Sequence, residues 1–96
     1  EIADPHNLRI VTRVNGEVRQ DSNTKHQIYH IPAQIAWYSH AGFEPGDLIS
    51  SGTPAGTGMG YHGPGTWYLQ NGDRIECEIE GIGTLVNTVT TRKRRN

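Results

Sequence analysis

Two Asn-Gly pairs, Asn15-Gly16 and Asn71-Gly72, constrain this 96-residue chain more tightly than any other local feature in it. An Asn-Gly pair between runs rich in Val and Ile favours a type I′ turn, whose two central residues both need positive φ, and such a turn joins antiparallel neighbours. Around the first pair, "LRIVTRV" and "EVRQD" predict strands over residues 8–14 and 17–21. The period of two puts Leu8, Ile10, Thr12 and Val14 on one face, so the hairpin is expected to be half buried. Beyond the second pair, Ile75, Cys77 and Ile79 alternate with Glu76, Glu78 and Glu80, which predicts an apolar face and an opposite, wetter face of carboxylates. Gly81 to Gly83 then turns the chain into a last strand, "TLVNTVTT".

Between these hairpins the pattern changes period. Ile28, Ile31, Ile35 and Tyr38 are spaced by three, four and three residues, the stripe of an amphipathic helix. Pro32 suits a first helical position and Gly42 a left-handed stop, so the helix is expected over about 32–41. "EPGD" makes a turn, and "LISSGT" reads as a short strand entering a long loop. Residues 48–65 hold six of the 12 glycines and two of the five prolines, and ordered loops of that length are usually functional. The order β, β, α, β, β, β predicts a mainly β, α+β fold with one short helix packed on it.

Leu, Ile, Val and Phe number only 19, close to the level at which a chain of this size struggles to bury a core. With hydrophobic residues at 33% and a mean hydropathy of −0.64, yet clear patterning, the chain reads as folded and in need of a further apolar surface. A net charge of −1 and a pI near 6.6 give no electrostatic reason to bind nucleic acid or a membrane surface. No apolar run approaches the ~20 residues of a membrane span. The single Cys77 excludes an internal disulfide and a cysteine-based zinc site, and fits a reducing, cytoplasmic setting. The basic end, Arg92 to Asn96, reads as a solvated tail.

Four places could carry chemistry. Gly58, Gly60 and Gly63 match G-x-G-x-x-G, but the nucleotide fingerprint leads into a helix, whereas "PGTWYL" follows here. His26 and His30 are four apart, yet Pro32 biases the residue before it away from a helix, and Gln27 stands where a zinc peptidase needs Glu. Glu76, Glu78 and Glu80 could face a hard cation, but like charges at strand spacing also describe a solvated hairpin face. The fourth is the junction "SSGTPAG". Gly52 lets backbone N–H groups approach a ligand, Thr53 supplies a hydroxyl, and Pro54 fixes the exit angle. Thr53 has no sequence-adjacent base, so the junction suits binding an anionic oxygen rather than nucleophilic attack.

Three blocks, "RVNGEVRQDSNT", "GFEPGDLISSGTPAGTG" and "NGDRIECEIEGIGTLVN", resemble in order the C-terminal half of the fumarylacetoacetate hydrolase family, covering about residues 4–89. The resemblance implies part of a mixed β-roll and a homodimer. It also implies a Mg²⁺- or Mn²⁺-dependent enzyme acting on 2-oxo or 1,3-dicarbonyl acids by C–C hydrolysis, decarboxylation or isomerisation. The family's Thr-Gly-Thr-Pro motif falls on Ser51, Gly52, Thr53 and Pro54, with Thr53 as the residue holding the substrate carboxylate and Ser51 replacing the first threonine. The resemblance places the metal ligands, lysine and acid-base residues upstream of residue 1. No catalytic or metal residue is then expected in this segment, and "ECEIEGIGTLVN" is expected to be a structural hairpin. Residues 1–91 are read as a C-terminal segment of the catalytic domain, inactive alone, with 92–96 as a tail. The competing reading is a noncatalytic small-molecule binding module.

Overall fold

The computed structural model describes residues 2–60, 65 and 67–92. Its centre is a four-stranded antiparallel sheet in the order β2-β1-β3-β4, with β1 at Arg9–Val14, β2 at Glu17–Asn23, β3 at Arg74–Ile79 and β4 at Gly83–Thr88. The first turn forms as expected. Asn15 and Gly16 have φ of 52° and 82°, the pair of left-handed residues that a type I′ turn requires. The second Asn-Gly pair makes a different turn, because only Gly72 has positive φ, at 90°, and Asp73 N–H donates to the Gln70 carbonyl at 3.1 Å. A single left-handed residue in third place is the signature of a type II turn. It leads into β3 without pairing "WYLQ" as a strand.

β1 sits between β2 and β3, so the two hairpins are joined along their inner strands. That position explains the small core: among the described residues Val11 and Val14 are the buried apolar ones, at 6% and 5% exposure. Val14 lies on the expected face with Ile10 and Thr12, but Val11 is on the other, so β1 is covered on both sides. The β1–β2 register pairs Thr12 with Gln20 and Arg13 with Val18, leaving Arg19 without an opposite residue. This is a β-bulge, an extra residue that moves everything beyond it to the other face of the strand.

The expected division of β3 into an apolar and a wet face is blurred, with Ile75 half-buried and Glu80 exposed as expected but the residues between them not. Glu76 and Glu78 are half-buried while Cys77 and Ile79 are exposed. The reason is Arg13, which crosses the carboxylate face to reach Glu78 at 2.9 Å and Glu76 at 3.6 Å. Arg9 N–H donates to Glu80 Oε1 at 3.0 Å.

The helix also departs from expectation. α1 covers Ile31–Tyr38, with Pro32 in its first turn, and a 3₁₀ turn at Ser39–Ala41 continues it to Gly42, whose φ is 78°. None of its residues is buried, and Ile28, which begins the apolar stripe, lies outside it at 92% exposure. The helix therefore stands apart from the sheet across an open groove. Residues 48–53 form no strand: no described backbone pairs with them, Gly52 has φ of 97°, and Pro54 has no N–H to extend a ladder.

Candidate functional site

The groove between helix and sheet has a volume of about 1290 Å³. Ser51, Gly52, Thr53 and Pro54 line one side. Ile10 and Ile79, which pair across β1 and β3, form part of its sheet wall, and Trp37 and Tyr38 face them from α1. The structure thus brings together the four residues singled out from the sequence and sets them at the edge of an apolar concavity. Pockets of this kind, with a few convergent polar groups, are the usual sites for small ligands.

The loop is held in place by β2. Gly56 has φ of 110°, and a Cβ built there would collide with the Arg19 carbonyl, so loop and bulge pack backbone against backbone. Arg19 adds its side chain, donating to the Trp67 carbonyl at 3.2 Å and to Glu17 at 2.9 Å, with its guanidinium 4.4 Å from the Trp67 ring centroid. A planar cation over an indole face is attracted by the ring quadrupole. The bulge residue is therefore clamped between its own strand and the far end of the loop.

Thr53 is tied to the sheet through Gln20. Gln20 Nε2 donates to Thr53 Oγ1 at 2.9 Å and to the Pro54 carbonyl at 3.0 Å, while Thr12 Oγ1 donates to Gln20 Oε1 at 2.9 Å. Sequence reasoning missed Thr12, Gln20, Arg19 and Gly56. A bulge-free hairpin grown from Asn15-Gly16 would set Gln20 opposite Val11, on the face turned away from the groove. The extra residue at Arg19 sets it opposite Thr12 instead. The polarity of Thr12 in an otherwise apolar face of β1 was the available signal, but its meeting with Gln20 depends on the bulge.

The other sequence candidates are placed elsewhere. Since Ile79 faces the groove, alternation turns Glu78 and Glu80 to the opposite face, where they line a separate hollow with Arg9 and Val11. His30 stacks on His6, with ring centroids 5.0 Å apart and 10° between planes, rather than pairing with His26. Gly63 and His62, and all of the basic tail except Arg92, lie outside the described residues. No helix follows Gly58 and Gly60 among the described residues up to Gln70.

A divalent ion does not fit the described residues. Among the described residues no three His, Cys, Asp or Glu side chains are grouped to hold one. The β3 carboxylates, ~6–7 Å apart along a strand, are engaged by Arg13 and the Arg9 N–H.

The family model described as "Fumarylacetoacetate (FAA) hydrolase C-terminal" matches residues 1–90. A human protein named oxaloacetate tautomerase FAHD2B, mitochondrial, is 47% identical over 89 residues, which are 92% of this chain and 28% of that protein. The chain thus spans less than a third of the length of that curated relative. Among solved structures, a fumarylacetoacetate hydrolase from psychrophilic Exiguobacterium antarcticum is 44% identical with a TM-score of 0.85, over 93% of this chain and 32% of that one. Maleylpyruvate hydrolase from Sphingobium sp. SYK-6, in complex with manganese(II) ion and pyruvate, is 32% identical with a TM-score of 0.79, over 93% of this chain and 31% of that one.

Proposed function

The chain belongs to the fumarylacetoacetate hydrolase family, and on that premise we propose that its loop from Ser51 to Pro54 is the carboxylate-holding wall of an enzyme site for 2-oxo or 1,3-dicarbonyl acids. The carrying observation is the position of Thr53, exposed at the edge of an apolar groove yet held from behind by Gln20. A hydroxyl so placed can donate to an anionic oxygen, and Gly52, where a Cβ would meet nothing within 4 Å, leaves the backbone beside it open. Ile10, Ile79 and Trp37 give the rest of the acid an apolar surface. The reaction is C–C hydrolysis, decarboxylation or isomerisation in the complete protein.

Mg²⁺ or Mn²⁺ is the proposed cofactor, held by residues outside these 96; the manganese and pyruvate named with the Sphingobium enzyme support this choice. The proposed assembly is a homodimer, and the proposed organisation is a catalytic-domain segment over residues 1–91 with a tail at 92–96. No helix among the described residues is long and apolar enough to cross a membrane, and the human relative is named mitochondrial, so the cytoplasmic expectation is withdrawn. A second reading, a noncatalytic binding module, draws on the groove lying within this chain while no metal cluster is formed by its described residues.

Thr53→Val in the full-length protein discriminates between these. It keeps the shape and removes one charge-assisted bond, so kcat/KM for an oxo acid such as oxaloacetate should fall roughly tenfold or more. Unchanged kinetics would take Thr53 out of the site, and absence of turnover in the full-length protein supplied with Mn²⁺ would favour the binding module.

A further inference from the structure

We infer that Gln20 is a positioning residue that occupies one lone pair of the Thr53 hydroxyl and leaves its proton to be donated toward the groove, so that the site favours an anionic oxygen over a neutral group of the same shape. The inference deepens the proposed carboxylate site and rests on that reading.

The donor directions follow from chemistry at three atoms. The Pro54 carbonyl can only accept, so the amide atom of Gln20 that lies 3.0 Å from it must be the nitrogen. The other amide atom is then Oε1, an acceptor, and Thr12 Oγ1 at 2.9 Å must donate to it. Gln20 Nε2 carries two protons. One goes to Pro54 O and the other to Thr53 Oγ1 at 2.9 Å. Thr53 therefore accepts from Gln20 and keeps its own proton, for which no described residue provides an acceptor.

The location gives that proton its role. Thr53 and Pro54 line the groove, whereas Gln20 and Thr12 do not, and both of them are only half exposed. The directional chain Thr12, Gln20, Thr53 runs from the sheet to the groove edge. With one lone pair of Thr53 Oγ1 taken by Gln20, a ligand oxygen meeting it is offered the free O–H donor, which favours a carboxylate or enolate oxygen, whereas a ligand N–H can reach only the second lone pair. The bulge at Arg19 is the structural cause, since it brings Gln20 to the face of β1 that carries Thr12.

The test compares pyruvate with its neutral amide, pyruvamide, as probes of the full-length protein supplied with Mn²⁺, by calorimetry and by competition against oxaloacetate turnover. Gln20→Glu preserves size and presents acceptors to both Thr53 and Pro54 O, so the Thr53 proton is drawn back toward the sheet. Gln20→Met removes both donors without adding charge and guards against a folding defect, as do melting curves for each variant. We expect Gln20→Glu to weaken pyruvate about tenfold while pyruvamide changes much less, and Gln20→Met to narrow the preference by a smaller factor. The loss should fall on KM for oxaloacetate and leave kcat within about twofold.

Equal weakening of both probes in the two Gln20 variants would mean a purely structural role and overturn the inference. So would unchanged pyruvate binding in both variants when Thr53→Val weakens it, with the carboxylate site left standing. If Thr53→Val leaves pyruvate binding unchanged, the proposed site falls and this inference falls with it.

Discussion

Gly56 and Gly52 both have positive φ, at 110° and 97°, but they pose different steric problems. At Gly52 a methyl group would enter open space, so Gly52→Ala meets only the backbone penalty of ~1–2 kcal/mol for an L-residue in this region. At Gly56 the same methyl would meet the Arg19 carbonyl, which cannot yield without moving the bulge. Gly56→Ala should therefore lower the denaturant midpoint more than Gly52→Ala. It should also weaken pyruvate binding, since Gln20, the next residue along, holds Thr53. Equal destabilisation by the two substitutions would show that the loop is not seated on the bulge. His6 marks a limit of residue-level reading: it has no partner visible in sequence, yet it stacks on His30, joining the segment before β1 to the start of α1.

At the scale of elements, Asp73 ties the type II turn to the type I′ turn. Its carboxylate accepts from Gln70 N–H at 2.8 Å and from Asn15 Nδ2 at 2.9 Å, and Asn15 Oδ1 in turn accepts from Arg74 N–H at 2.9 Å. The Gln70 backbone N–H first, and the Asn15 side chain second, hold the Asp73 carboxyl below its ordinary value of 3.8. A carboxyl with a lowered folded-state pKa contributes stability that is complete above the unfolded value and is lost as pH falls through the folded one. Asp21 is lowered as well, by its hydrogen bond to Arg9 and their charge attraction, and contributes in the same window. Stability should accordingly decline as pH drops below about 3.8, and Asp73→Asn should remove the Asp73 share of that decline. Urea midpoints from pH 5 downward for both proteins measure it; parallel curves would remove Asp73 from the account.

For the whole molecule, exposed apolar surface dominates. Leu48 at 96%, Ile28 at 92% and Trp37 at 75% are open to solvent, as is the whole of edge strand β4, against a core of Val11 and Val14. A chain of this size with so little burial is marginal, and exposed apolar patches drive association. The 96-residue chain by itself should sediment as a species larger than a monomer and should neither bind Mn²⁺ tightly nor turn over an oxo acid. The available carboxylates of β3 are strung along one strand and turned away from the groove. Micromolar Mn²⁺ binding with metal-dependent turnover by this chain would place the active site within it and reverse the assignment.

Local rules were enough for the first Asn-Gly turn and for the two hairpins, because positive φ at Gly and the two-residue period are properties of the chain itself. The junction from Ser51 to Pro54 was legible for the same reason: a glycine, a hydroxyl and a proline have fixed chemistry wherever they fold. Which face of β3 is wet could not be read, since it depends on Arg13 reaching across from β1. The expected strand over "LISSGT" failed because a strand needs a partner backbone, and pairing is a long-range property. Most consequential was the bulge at Arg19: one extra residue reverses the face of Gln20 and carries it from the carboxylate side of the sheet to Thr53. No pattern within β2 specifies that residue, because it is stabilised by Glu17, Trp67 and Gly56, two of which lie far along the chain and meet it only in the folded protein.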